Sequence, residues 1–298
     1  TSIGEGAFSC WSALQTISLP FVGVSASGGS RDVDSSFGVI FGTKNSEESW
    51  AVESHTSPSM YYPNTISTVT IRGGNLTSLG FKDYEEIEYL SISNSVTIIG
   101  TQQFYGMVDL ISITLPTNLV TITTEMFRGC TSLTSISFPS TLKTISENAF
   151  YDCTSLHTIT FANENAISTI ATKAFYHTAL NASTFAIPEG VEYLGDSAFE
   201  AAAVDSVDVQ ILTLPTTLLY VGNSVFANWA SLEEITLPFI GTELRDDFVY
   251  SEEQEIDTVY DGSTSPITLF GKTSGIGLSA TRYVYRAWAD EEETQSKQ

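Results

Sequence analysis

Between Leu110 and Phe127 the apolar positions follow a fixed order: Leu110-x-x-Ile113-x-Leu115-Pro116-x-x-Leu119-x-x-Ile122, then Phe127 five residues on. The order returns at Leu133, Ile136, Phe138-Pro139, Leu142, Ile145 and Phe150, and again at Leu156, Ile159, Phe161, Ile167, Ile170 and Phe175. An aromatic closes each unit, at Phe8, Tyr84, Phe104, Phe127, Phe150, Phe175, Phe199 and Phe226. After a long first gap the intervals are 20, 23, 23, 25, 24 and 27 residues. Five residues before each aromatic stands Ile3, Leu79, Ile99, Ile122, Ile145, Ile170, Leu194 or Val221. Phe81 lies 23 residues before Phe104, but the spacing from Leu79 favours Tyr84 as the closing residue of its unit.

In L-x-x-I-x-L the last two apolar residues are two apart, so both point to one face of a strand. The proline that follows, at Pro20, Pro116, Pro139, Pro188, Pro215 and Pro238, has no N–H and ends the ladder there. A second short extended piece is expected at Val96 to Ile99, Leu119 to Ile122 and Leu142 to Ile145. A small residue (Gly100, Ser146, Gly195 or Gly222) then lets the chain turn toward the aromatic. The stretch around the aromatic has room for one helical or 3-10 turn at most.

One unit offers about five apolar side chains, each worth roughly 1.5–3 kcal/mol when buried. Ordering its backbone costs about 1–2 kcal/mol per residue, so a lone unit cannot fold. Stacked units share their buried faces, and stability then resides between neighbours. The length of 298 residues would suggest two domains, but the repeat points to a single solenoid over 1–298. Residues 1–20 form a partial first repeat and 66–238 the regular repeats. Two stretches depart from the pattern, 21–65 and 239–280, followed by a terminal strand and tail over 281–298. Each departure begins Leu-Pro-Phe-aliphatic-Gly (Leu19 to Gly23, Leu237 to Gly241) and later carries an apolar-Phe-Gly step at Phe41 or Phe270. Both are read as inserted excursions pinned by their aromatics; loops of this length are usually functional or disordered.

A unit reading L-x-x-I-x-L-P-x-x-L-x-x-I-G-x-x-A-F-x-x-C resembles the BspA-type leucine-rich repeat, most closely from Leu133 to Cys153, with Ala149 and Phe150, and from Ile3 to Pro20. The resemblance implies a β-rich α/β solenoid, a right-handed leucine-rich repeat superhelix with a parallel sheet and about nine or ten coils of about 23 residues. It implies a secreted or cell-surface protein with an adhesive, host-interacting role and no catalysis. The alternative is a passive stalk that spaces other domains from the surface.

Charge narrows the partners. There are 35 acidic residues against 12 basic ones, a net charge of −23, and a field of that sign repels nucleic acid and anionic lipid. No apolar run approaches the roughly 18–20 residues needed to span a bilayer. The expectation is therefore a monomer with a protein or glycan ligand, no nucleic acid partner and no membrane insertion in this segment. The chain opens inside a repeat, as a fragment would, so the missing signal segment says nothing of the compartment.

The outward strand positions form two files: Thr16 and Ser18, Thr68 and Thr70, Tyr89 and Ser91, Ser112 and Thr114, Ser135 and Ser137, Thr158 and Thr160, Thr184 and Ala186, Glu234 and Thr236. Threonine suits strands and keeps a face soluble; the same files also make a flat hydroxyl lattice for a glycan or protein. The candidate binding face is Tyr89, Ser91, Ser112, Thr114, Ser135, Ser137, Thr158, Thr160, Glu234 and Thr236. An ice-binding lattice fits less well, since serine and threonine are mixed and Tyr89 and Glu234 intrude.

Cys130 and Cys153 are one repeat apart, within disulfide reach, but stacked side chains point in parallel, so buried free thiols are expected. Trp229 fills the same slot, which suggests an apolar requirement; Cys10 is off register. His157 and His177 are candidates to meet across coils near a carboxylate, and His55 is the third histidine. No nucleophile elbow, C-x-x-C, H-x-x-x-H or EF-hand spacing occurs, so no catalytic residue, cofactor or metal site is assigned. Asp32, Asp34, Asp246 and Asp247 are acids that could meet Ca²⁺ but read more simply as solvated loops. Asn75 and Asn181 head glycosylation sequons.

Overall fold

The computed structural model describes residues 2–9, 11–23, 37–42, 51–53, 61–76, 80–163, 166–181, 185–202, 207–229, 231–237 and 282–285. Short strands alternate between two walls. The first wall holds β1 (Thr16–Leu19), β4 (Thr68–Ile71), β5 (Tyr89–Ile92), β6 (Ser112–Thr114), β8 (Ser135–Phe138), β10 (Thr158–Phe161), β13 (Ile211–Thr213), β15 (Glu234–Leu237) and β16 (Arg282–Tyr285). The second holds β7 (Thr121–Ile122), β9 (Thr144–Ile145), β11 (Thr169–Ile170), β12 (Tyr193–Leu194) and β14 (Tyr220–Val221). All pairings within the walls are parallel, and residues one repeat apart face each other: Ile136 beside Ile159, Ile122 beside Ile145, Ile145 beside Ile170. Only β2 (Ala51–Glu53) and β3 (Tyr61–Pro63) pair antiparallel.

Each turn of the solenoid shares its apolar residues with the next. In β8 the pattern is exposed, buried, exposed, buried over Ser135, Ile136, Ser137 and Phe138, the alternation its spacing predicts. Prolines 116, 139, 188 and 215 each donate nothing and instead accept an N–H three residues on, from Leu119, Leu142, Val191 and Leu218. That tight turn carries the chain to the second wall. The second-wall residues Leu76, Ile99, Ile122, Ile145, Ile170, Leu194 and Val221 close about seven turns, fewer than the nine or ten expected.

The third side is the corner around the closing aromatic. Phe104, Phe127, Phe150, Phe175, Phe199 and Phe226 form a buried column with centroids 5.0–6.1 Å apart. In the middle the rings are almost parallel, 2° between Phe150 and Phe175. A backbone ladder runs beside them: the N–H groups of Glu125, Phe127 and Gly129 donate to the carbonyls of Glu147, Ala149 and Tyr151, and the next turns repeat the set. Positive φ recurs at every fourth residue here, at Asn148 (55°) and Asp152 (58°) and again at Lys173 (54°) and His177 (59°). Left-handed backbone costs a side-chain-bearing residue about 1–2 kcal/mol, and here the inter-turn bonds offset that strain.

The column corrects the register at its start. Phe81, not Tyr84, continues it: its N–H donates to Gln103 O at 3.0 Å and its ring lies 6.2 Å from Phe104. Leu76, five residues before Phe81, bridges Ile99 on the second wall. Leu79 lies outside the described residues. Both pairs, Leu76/Phe81 and Leu79/Tyr84, satisfy the five-residue spacing, and only the inter-turn ladder separates them. Tyr84 stands instead three residues after the column.

Within 21–65, Phe37–Ile40 form a buried 3-10 turn. Phe37 N–H donates to Gly80 O, and its ring lies 5.1 Å from Phe81, so it extends the column by one turn. Phe41 then meets Phe8 at 6.1 Å, which fills the long first gap in the aromatic series. Tyr62 from β3 packs against Phe37 and Tyr84 and donates its hydroxyl to Glu86. Of residues 238–281 nothing is described, so the second departure, with Phe270, Asp246 and Asp247, lies outside the described residues, as do Cys10, Asp32, Asp34 and His55.

Candidate binding face

The first wall sets the candidate face. Its inward residues are aliphatic or aromatic and buried, which turns the alternate residues outward. Register then aligns those residues along the axis: Tyr89 beside Ser112 and Ser91 beside Thr114, Ser135 beside Thr158 and Ser137 beside Thr160. Ser112, Thr114, Ser135, Ser137 and Thr160 are exposed; Ser91 and Thr158 are half-exposed. Tyr89 is 44% exposed. Glu234 and Thr236 lie on β15 beside Ile211 and Thr213. β6 and β8 are joined by the Thr134 N–H to Ile111 O, so the face carries on across them.

Two features of the face were not anticipated. Ile211, 65% exposed, and Thr213 belong to it through β13; Leu214-Pro215 was the signal, matching Phe138-Pro139. The files also break: the strand ladders of the first wall are β1-β4-β5-β6, β8-β10 and β13-β15-β16, and between β10 and β13 Phe185 to Pro188 form no strand. Leu133 to Pro139 spans six residues, whereas Leu180 to Pro188 and Val207 to Pro215 each span eight. The ladder is interrupted between β10 and β13 at the first of these longer spans, while the second still forms β13 and pairs with β15. Thr184 lies outside the described residues, and Ala186 presents a methyl where its neighbours carry hydroxyls.

The residues read for other chemistry sit elsewhere. Cys130 and Cys153 are free and fully buried, as expected. The slot is not simply apolar, however. Cys130 Sγ donates to Phe104 O and Cys153 Sγ to Phe127 O, both at 3.0 Å, while Trp229 Nε1 donates to Phe199 O at 2.7 Å. These three occupants donate to the carbonyl of the preceding column residue, whereas buried Met107 fills the same slot without such a donor and Thr178 Oγ1 donates to Phe175 O of its own turn. Desolvation pushes both thiols well above the usual cysteine range, which makes them poor nucleophiles.

His157 lies at the start of β10 with Nδ1 3.0 Å from Thr158 Oγ1. His177 lies at the corner with Nδ1 2.8 Å from Asp152 Oδ1. The histidines therefore occupy different sides of the coil, on the wall and at the corner. Among the described residues no group of three or more His, Cys, Asp or Glu is placed to hold a metal ion, and no helix is long and apolar enough to cross a membrane.

A row at the corner escaped the sequence reading altogether. The residues after Phe81, Phe104, Phe127, Phe150 and Phe175 (Lys82, Tyr105, Arg128, Tyr151, Tyr176) stack along the axis: Lys82 Nζ lies 4.9 Å over Tyr105, the Arg128 guanidinium 4.6 Å over Tyr151, and Tyr151 4.8 Å from Tyr176. Arg128 also pairs with Glu125; a hydrogen bond from Gln102, then that pairing, hold the Glu125 carboxyl below its ordinary range. The rings cover one another along the axis, so this row braces the corner and offers no open ring face.

A search of curated proteins finds no match. Three solved structures are similar. A leucine-rich repeat protein from Bacteroides ovatus ATCC 8483 is 21% identical with a TM-score of 0.46, covering 58% of this chain and 49% of its own. The T. pallidum leucine rich repeat protein is 21% identical with a TM-score of 0.40, covering 64% and 81%. A leucine rich cell surface protein from Faecalibacterium prausnitzii A2-165 is 18% identical with a TM-score of 0.33, covering 64% and 74%. The chain spans about half the length of the Bacteroides protein. The family profile described as the BspA type leucine rich repeat region matches six copies over residues 74–205 and 203–258, well over half of the sequence; the chain belongs to the BspA-type leucine-rich repeat family.

Proposed function

We propose that the chain is a non-catalytic recognition module, secreted or held at a cell surface, whose first wall binds a host protein or glycan as an adhesin does. Leucine-rich repeat domains generally mediate protein binding, and the solenoid is typically without catalysis. The observation that carries the reading is the in-register outward file Ser91, Thr114, Ser137 and Thr160. Each hydroxyl is positioned by a strand whose other side is locked in the core, and adjacent strands lie about 4.8 Å apart. Such groups meet a ligand with little further ordering, which is where much of the cost of association lies. The net charge of −23 favours neutral or basic partners over anionic ones.

The experiment is binding of the purified chain to panels of extracellular-matrix proteins and glycans. The comparison is the triple variant Thr114→Lys, Ser135→Lys, Thr158→Lys, with folding checked by circular dichroism. Binding that the triple variant loses supports a recognition face. Binding unchanged in that variant, or silence across both panels, overturns it and favours a passive spacer.

A further inference from the structure

The hydroxyl file of the first wall changes character at one point. Ser137, Thr114 and Thr213 each stand two residues before a proline, and so does Ala186. The file therefore runs through Thr160, meets the Ala186 methyl, and resumes at Thr213. There the ladder is broken between β10 and β13, and a cavity of about 520 Å³ opens, bordered by Thr160, Phe161, Ala186, Pro188, Glu189 and Thr213. A regular parallel wall has no such opening. It lies where two consecutive coils carry the extra residues described above.

We propose that this cavity seats a neutral hexose unit of a glycan; the proposal rests on the first wall being a recognition face. The polar groups are few and placed. Thr216 donates both its N–H and its Oγ1–H to Glu189 Oε2 at 2.9 Å, which holds the carboxylate at the rim. A carboxylate has about four acceptor sites, so acceptor capacity remains for sugar hydroxyls. Among the described residues no hydrogen bond occupies the Thr160 or Thr213 hydroxyl. Both are exposed on either side of Ala186.

The apolar side of a pyranose finds matching surface. Phe161 is half-buried and covered on one side by Phe138, with centroids 5.2 Å apart. Its remaining surface and the Pro188 ring border the cavity. An apolar wall with a few convergent polar groups is the usual make-up of a small-ligand site. Among the described residues no lysine or arginine borders it, and the chain is strongly acidic, so phosphate, sulfate and carboxylated sugars are disfavoured. A lone lysine or arginine side chain from a basic protein would leave most of this volume empty.

The test uses the full chain. Methyl glucoside, galactoside and mannoside, then neutral oligosaccharides ending in the same sugars, are screened by saturation-transfer NMR. Affinities of the hits are then measured by calorimetry. Ala186→Arg fills the cavity from an exposed position, and Glu189→Gln removes the charge at the rim should the larger change disturb folding. Val120→Lys, on the second wall, is the control. The expected result is binding of a neutral hexoside weakened at least tenfold in Ala186→Arg and in Glu189→Gln and unchanged in Val120→Lys. Binding confined to basic peptides or to anionic sugars overturns the hexose proposal while leaving a recognition face in place. Glycan binding lost in the triple lysine variant but kept in Ala186→Arg also overturns it and moves the site elsewhere on the wall. No binding by any hexoside or oligosaccharide overturns this proposal alone, since the recognition reading is decided by the protein and glycan panels above.

Discussion

The coils that carry residues 156–229 are closed on two sides and open on the third. Along the corner, Phe150, Phe175, Phe199 and Phe226 continue their column without a gap, and on the second wall β11, β12 and β14 stay in register. On the first wall the same coils lose their strand pairing at Phe185 to Pro188. The difference shows where this fold keeps its stability. Column and second wall carry the stacking, so the first wall tolerates added residues and becomes the side free to vary.

The sharpest way to break that comparison is to attack the column. Phe150 is fully buried between two parallel rings at 5.0 Å. Phe150→Ala should cost roughly 3–5 kcal/mol, the range for an aromatic deleted from a core. Because neighbouring turns lend each other stability, the loss should spread: hydrogen exchange should quicken in the turns on both sides. Phe161→Ala, at the open wall, should cost visibly less in the same urea titration. Equal losses would place the stability on both sides alike.

A second test concerns backbone approach at the edge of the second wall. A Cβ built on Gly195 would stand 2.3 Å from Thr172 N and 2.6 Å from Ala171 C in the preceding turn. Both are backbone atoms that cannot rotate aside, so Gly195→Ala should cost about 1–3 kcal/mol, the range for overpacking. The thermal midpoint should fall while the far-UV spectrum of the folded protein is kept.

Much of this architecture could be read from the sequence because core packing repeats. The Leu/Ile/Phe spacing of 110–175 predicted both walls and the closing aromatic, and the Leu-Pro steps marked where first-wall strands stop. What escaped has physical reasons. A five-residue rule cannot separate Leu76/Phe81 from Leu79/Tyr84, since both pairs are apolar and only inter-turn bonds distinguish them. Phe37 was hidden because its coil is long and keeps no 23-residue interval. The break in the candidate face was illegible because Phe185 and Ile187 alternate with Ala186 just as a strand would. The Lys82-to-Tyr176 row mixes charged and aromatic residues, so no hydrophobic pattern marks it.

The donor slot behind the column offers a third, smaller effect. Cys153→Ala removes one of the two donors to Phe127 O and leaves it the Cys130 N–H, so the lost bond should cost about 0.5–1.5 kcal/mol. Cys153→Ser keeps a donor and should cost less. The slot also predicts a pH dependence. Burial raises both thiols above their ordinary pKa, so above about pH 8.5 the unfolded chain loses thiol protons that the folded chain retains. The unfolded state then binds fewer protons, and stability falls as pH rises, by at most about 1.4 kcal/mol per pH unit for each thiol. Urea midpoints measured between pH 8 and 10 should fall more gently in Cys153→Ser than in the parent, and a parallel fall would refute the assignment.

The smallest effect is expected at the opening itself. Ala186 is exposed and lies in a stretch with no strand pairing, so Ala186→Thr neither fills a core nor meets a ladder. It restores a hydroxyl to the file between Thr160 and Thr213, and surface changes of that kind usually shift stability by no more than about 0.5 kcal/mol. A gain well beyond that would mean the added residue draws Phe185 to Pro188 back into the wall as a strand. The interruption would then be a marginal choice of this chain rather than a consequence of its two extra residues per coil. Unchanged urea midpoints would instead show that the first wall can be altered at its opening without disturbing the column, the property a variable recognition surface requires.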